Sequence, residues 1–275
     1  MTPTRSASAD NETGTEIISV RGHDVRVRMR EGDGKRPPLL LMNGLGVKLE
    51  GLQPFVDQLP STAGVIRFDV PGTGESPTPS LPYRLTWVSC LVAGILHELG
   101  HSRADVLGAS WGGALAQHFA FQQRQQCRRL ILVSTGPGFA TVPGRLSVLR
   151  EALSSRRHED PIHARNVAPR LYGGALRTDP DSYPLLGDLS ANPRGLLYQQ
   201  LAVLGWTSLP FVRLIRQPTL ILTGEDDPLI HPVNGRVMRW LLPNAELHTF
   251  NDGHLGLLTS ATELAPMVEE FLRRP

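Results

Sequence analysis

The spacing of hydrophobic and polar positions changes repeatedly along this chain. "EIISVRG" and "DVRVRMR" alternate apolar and polar residues, which predicts two short strands split by a Gly-His-Asp turn and paired as an antiparallel hairpin. "RPPLLLMNG" runs apolar without a break and ends in glycine, the pattern of a strand buried on both faces. Further strands are predicted at "GVIRFDV", "ADVLGAS", "RRLILVSTG", "PTLILTG" and "AELHTF". Between them, "LEGLQPFVDQLP", "LTWVSCLVAGILHELG", "WGGALAQHFAFQQ", "VNGRVMRWLL" and "ATELAPMVEEFLRR" space their apolar residues at helical intervals, with Gly100 as C-cap of the second. This alternation predicts an α/β fold. Its sheet is mostly parallel and doubly wound, with helices on both faces and the first two strands at an antiparallel edge.

One stretch breaks the alternation. Between Gly136 and Gln217 no convincing buried strand is found, only short helical patterns such as "RLSVLREALSSRR" and "GLLYQQLAVLGW". A structureless loop of that length is disfavoured inside a compact domain. A helical cap over residues 137–216, inserted after the sixth strand, is therefore expected. Residues 16–136 and 217–275 are left as the core, and the polar residues 1–15 read as a flexible tail without the apolar stretch of a secretion signal.

The 275 residues are 40% hydrophobic and 20% charged, ordinary for a soluble enzyme. A net charge of +2 gives no footprint for nucleic acid or an anionic membrane surface. No run is long and apolar enough to span a bilayer. Cys90 and Cys127 each fall within a predicted helix or at its end, without CxxC spacing. That argues against a disulfide framework and excludes a cysteine metal site. A cytoplasmic address is expected.

The candidate chemistry centres on "VLGASWGGALAQ", where Gly108, Ala109, Gly112 and Gly113 crowd around Ser110. Glycines at a helix start need a reason. G-x-S-x-G between a predicted strand and a predicted helix supplies one. The nucleophile's turn is strained and its strand and helix approach closely, so neighbouring side chains must be small.

A nucleophilic serine needs a base, and the base an orienting acid, in the chain order Ser, Asp/Glu, His for this architecture. "LTGEDDPLI" and "HTFNDGHLG" each follow a predicted strand, at the carboxyl edge where catalytic groups gather. Of nine histidines, His254 follows the last strand and is favoured as base over His231 and His248. Asp227, directly before Pro228, is favoured as the acid, with Asp226 second; Asp69 reads as part of a structural turn. The backbone N–H groups of Trp111 and of Leu45, in the "NGLG" loop, are the expected oxyanion donors. Tyr172, Tyr198, Trp206 and Phe211 are candidate linings of an apolar channel or packing residues of the cap.

These stretches carry a resemblance. "NGLGVKLEGLQPFVDQL", "RFDVPGTGESPTPSLPYR", "DVLGASWGGALAQHFA", "LYGGALR", "QPTLILTGEDDPLIHPVN" and "LPNAELHTFNDGHLGLLT" resemble α/β-hydrolase-fold enzymes, and within them the intracellular medium-chain-length poly(3-hydroxyalkanoate) depolymerases. The similarity runs from about Leu39 to Thr259, and only His231 stands where that pattern leads one to expect proline. It implies Ser110 as nucleophile, Asp227 as acid and His254 as base, acting on an apolar polyester, with a polymer granule surface as a partner and no metal or organic cofactor. The alternatives are a small-molecule carboxylesterase, a thioesterase or a carbon–carbon bond hydrolase of the same fold, and a non-catalytic ligand-binding relative.

Overall fold

The computed structural model describes residues 14–144, 146–154, 156–179 and 192–274. All but Gly14 and Thr15 of the expected tail lies outside them. Thr15 itself is tied down, its hydroxyl accepting from Arg28 Nη2 at 2.8 Å.

The strands are β1 (Glu16–Val20), β2 (His23–Arg30), β3 (Leu39–Met42), β4 (Val65–Phe68), β5 (Ala104–Ala109), β6 (Cys127–Val133), β7 (Thr219–Gly224) and β8 (Ala245–Phe250). They form one eight-stranded sheet in the order β1-β2-β4-β3-β5-β6-β7-β8. β2 pairs antiparallel with both β1 and β4, and the remaining pairings are parallel. Two local expectations are corrected. The hairpin turns on Arg21 and Gly22 (φ 51° and 77°), so His23 and Asp24 already belong to β2. Cys127 opens β6, paired with Ala104, rather than closing a helix.

The helices are α1 (Gln53–Val56), α2 (Leu85–Glu98), α3 (Trp111–Gln122), α4 (Leu146–Ala152), α5 (Arg156–Glu159), α6 (Pro161–Tyr172), α7 (Pro193–Val203), α8 (Val233–Leu241), α9 (Gly256–Thr259) and α10 (Ala261–Arg273). Successive strand residues point to opposite faces. Leu40 and Met42 of β3 join a core with α2, α3 and α8, while Leu39 and Leu41 join a second core with α1, α9 and α10. The uninterrupted apolar runs of the central strands follow from this two-sided burial. α2 ends as expected, with Gly100 in the left-handed region (φ 76°) and His101 N–H returning to Leu96 O at 2.8 Å.

Helices α4–α7 occupy the segment between β6 and β7. α6 does not stand out in the sequence, where Pro161 and Pro169 break the segment, although Ala164, Val167, Ala168, Leu171 and Tyr172 recur at helical spacing. Its start is well specified all the same: Pro161 opens it, and the Asp160 carboxylate accepts from His163 N–H at 2.9 Å. α7 lies against loops at the carboxyl edge of the sheet. A Cβ on Gly72, in the loop after β4, would sit 2.6 Å from Gly195 Cα of α7, and Arg84 Nη1 donates to Leu201 O at 3.0 Å.

Candidate active site

Ser110 joins β5 to α3 with φ 53° and ψ −115°, a region non-glycine residues rarely occupy. The turn is held on both sides. Ser110 N–H donates to Val133 O (2.9 Å), and the Thr135 hydroxyl donates to Ser110 O (2.9 Å). The glycines around it leave room for close neighbours. A Cβ on Gly112 would collide with the Met42 carbonyl, and one on Gly108 with the Gly112 carbonyl. A Cβ on Gly113 would lie 2.6 Å from the Thr135 side chain.

His254 follows β8 and Asp227 follows β7. His254 Nε2 lies 3.0 Å from Ser110 Oγ, and Nδ1 lies 2.8 Å from Asp227 Oδ2. The other oxygen of Asp227 accepts from Leu229 and Ile230 N–H, both at 2.9 Å. Asp227 and His254 are 5% and 6% exposed, so the pair is shielded from water that would compete for its hydrogen bonds. Asp226 turns the other way, accepting from Arg177 Nη2 (3.0 Å) and Gly174 N–H (2.8 Å). His231 is exposed and accepts from Val233 N–H at the start of α8 (3.2 Å). Asp69 is buried against Arg26 and accepts from Leu49 N–H at 2.7 Å. Serine, imidazole and carboxylate spaced this way can pass a proton from Oγ to Nε2 while the carboxylate steadies the ring.

The histidine loop rests on a second, buried carboxylate that the sequence reading did not single out. Asp252 accepts from the hydroxyls of Thr259 and Ser260 (both 2.6 Å) and from Ala175 N–H (2.8 Å). Burial alone would raise its pKa, but these donors and Gly253 N–H together hold it below the ordinary 3.8. His254 N–H donates to Tyr172 O at 2.7 Å, so the end of α6 also fixes this loop.

Ser110 and His254 open into a cavity of about 790 Å³. Its wall includes Leu45, Val47, Trp111, Leu149, Leu201 and Leu258, and among the described lining residues there is no Lys, Arg, Asp or Glu. Phe139, Leu153, Leu197 and Leu204 also line it, yet Phe139 is 83% and Leu204 69% exposed, so the mouth carries an apolar rim. Of the candidate aromatics, Tyr172 and Trp206 line the cavity. Tyr198 and Phe211 pack elsewhere, edge-on to Tyr83 and stacked on Phe121. The Trp206 indole donates to His118 Nδ1 at 3.2 Å, and burial holds the His118 pKa down, favouring the neutral acceptor form. Leu45 and Trp111 both border the cavity beside Ser110, and among the described residues no acceptor is found for either backbone N–H. Among the described residues no helix is long and apolar enough to cross a membrane.

A sheet of this order, with a serine on a strained strand–helix turn, defines a class. The chain matches the α/β hydrolase fold family over residues 37–261 and belongs to it. It is 41% identical over 259 residues to a poly(3-hydroxyalkanoate) depolymerase of Ectopseudomonas oleovorans, covering 94% of this chain and 92% of that one. A 2-hydroxy-6-oxononadienedioate/2-hydroxy-6-oxononatrienedioate hydrolase of Burkholderia vietnamiensis is 28% identical over 281 residues, covering 92% of this chain and 93% of the other. Among solved structures, an enol-lactonase from Burkholderia xenovorans superposes with a TM-score of 0.80 at 23% identity, over 94% of this chain and 100% of that one. That last likeness concerns the fold alone. The family and the depolymerase relative together make this chain an ester hydrolase.

Proposed function

We propose that this enzyme cleaves the ester bonds of a medium-chain poly(3-hydroxyalkanoate) through an acyl-enzyme on Ser110. The observation that carries the reading is the cavity, with Ser110 and His254 in its wall, no charged residue among its described lining and an exposed apolar rim. A neutral polyester fits such a cavity. The ionised ends of a dienedioate would need cationic partners to offset their desolvation, and the described lining offers none. The 41% identity to a depolymerase supports the same choice.

In the proposed mechanism, His254 Nε2 takes the Ser110 hydroxyl proton as Oγ attacks the ester carbonyl. The N–H groups of Leu45 and Trp111 stabilise the oxyanion. The tetrahedral intermediate collapses, the C–O bond to the neighbouring unit breaks, and His254 protonates the departing alcohol. Water, deprotonated by His254, then attacks the acyl-serine, and Oγ leaves as the free hydroxyl with the proton returned. A 3-hydroxy acid or oligomer is released. Asp227 remains a carboxylate throughout, holding the imidazole and stabilising its charged form.

Residues 137–216 act as a cap on the core formed by 16–136 and 217–275, and the exposed Phe139 and Leu204 face a polymer granule in the cytoplasm. The test compares three substrates: emulsified medium-chain polyester, a soluble p-nitrophenyl ester and a dienedioate. Release of 3-hydroxy acids from the emulsion, with no turnover of the dienedioate, is the expected result. Cleavage of the soluble ester alone would make the enzyme a small-molecule esterase.

A further inference from the structure

Gln199 is 1% exposed, in the middle of α7, within the segment inserted between β6 and β7. Burying a primary amide is costly unless its polar atoms are satisfied. Here both are. Oε1 accepts from Gly46 N–H at 2.9 Å, and Nε2 donates to the Thr73 hydroxyl. The backbone carbonyl of the same residue accepts from the Trp111 indole N–H at 2.9 Å. One residue of the insertion therefore grips both segments that flank Ser110. Gly46 directly follows Leu45 and is in the left-handed region (φ 71°), so its N–H orientation sets the backbone of the tight turn that presents Leu45. The rest of that loop is pinned from the core side, by Asn43 Nδ2 donating to Lys48 O (2.6 Å) and Leu49 N–H donating to Asp69 (2.7 Å). Gln199 supplies the hold from the opposite side, and the close Gly72–Gly195 backbone contact seats α7 for the purpose.

We infer that Gln199 is a positioning residue for catalysis: the insertion does not merely cover the cavity, but fixes the Leu45 turn through the Gln199 amide so that its N–H points at the developing oxyanion. This rests on the proposed oxyanion role of Leu45 and on Ser110 as nucleophile. A misplacement of about 1 Å at such a group costs on the order of a hundredfold in rate, and loss of one oxyanion donor a hundred- to a thousandfold.

The test is Gln199→Met, which keeps the side chain's length and removes both hydrogen bonds. Turnover of a soluble p-nitrophenyl ester is measured per active site titrated with an organophosphonate, so unfolded protein is not counted. The expected result is a fall in kcat of about 10- to 100-fold with KM little changed. Titrated enzyme with kcat within about twofold of wild type would overturn the inference, as would a rise in KM at constant kcat. Should Gln199→Met not fold, Gln199→Asn keeps a buried amide that ends one carbon short of Gly46. It carries the same two outcomes. Ser110→Ala run alongside separates the layers: if it retains turnover, the nucleophile assignment fails. If it is inactive while both Gln199 variants keep full kcat, only the role of Gln199 fails.

Discussion

His254 Nδ1 lies 2.8 Å from Asp227 Oδ2, while the neighbouring Asp226 faces outward to Arg177 Nη2 at 3.0 Å. Two adjacent acids in one loop thus have separate surroundings, one buried against imidazole and one half-exposed against guanidinium.

Asp227→Asn therefore lowers kcat by about 10³- to 10⁴-fold, since an amide there does not hold the required imidazole tautomer. Asp226→Asn removes an exposed ion pair, worth about 1 kcal/mol or less, and leaves kcat within about threefold. Steady-state kinetics on a soluble ester checks the ranking, and the reverse order would move the acid to Asp226.

Gly112→Ala is expected to cost about 3 kcal/mol or more, because its Cβ meets backbone carbonyls at Met42 and Asn43 rather than movable side chains. Gly100→Ala meets nothing within 4 Å and costs only the left-handed penalty, about 1–2 kcal/mol. Urea unfolding midpoints compare the two. Equal losses would mean that the turn at Ser110 has room to relax.

Asp252 titrates below 3.8 in the folded chain because bound hydroxyls and N–H groups favour its charge. A depressed folded pKa gives stability that is present above the unfolded value and lost as pH falls through the folded one. The thermal midpoint of Asp252→Asn should therefore trail wild type most near neutral pH, with the gap closing below about pH 4. A gap that widens toward acid would contradict this.

Leu204→Asp combined with Phe139→Ser removes apolar rim surface without touching Ser110 or His254. If these residues contact the polymer as proposed, losing both should weaken adsorption by about tenfold or more. Release from the emulsion should fall by that factor while turnover of a short soluble ester holds. A parallel fall in both would place these residues in the reaction path instead.

Much of this molecule is legible in the chain. Leu39–Met42 shows its two-sided burial as an unbroken apolar run, and the glycines around Ser110 signal a close strand–helix approach that the backbone contacts explain. Ser110, Asp227 and His254 each follow a strand whose pattern is legible, and the structure brings the three side chains within hydrogen-bond distance in the order Ser110, His254, Asp227. What stayed hidden depends on contacts between distant segments. Gln199 falls inside the helical pattern "GLLYQQLAVLGW" with nothing local to mark it, and its partners Gly46 and Thr73 lie more than a hundred residues away in the loops after β3 and β4. Asp252 lies in the "HTFNDGHLG" stretch beside His254, and its distant partner is Ala175 N–H, 77 residues away in the insertion. Cys127 reads as the end of the preceding helix until its pairing with Ala104 makes it the first residue of β6, one position before the "RRLILV" run.

The most direct measurement is release of 3-hydroxy acids from emulsified medium-chain polyhydroxyalkanoate by wild type and Ser110→Ala, both verified as folded. Wild type is expected to release them, and Ser110→Ala to release none at an unchanged thermal midpoint. Release by Ser110→Ala at the wild-type rate would contradict the account.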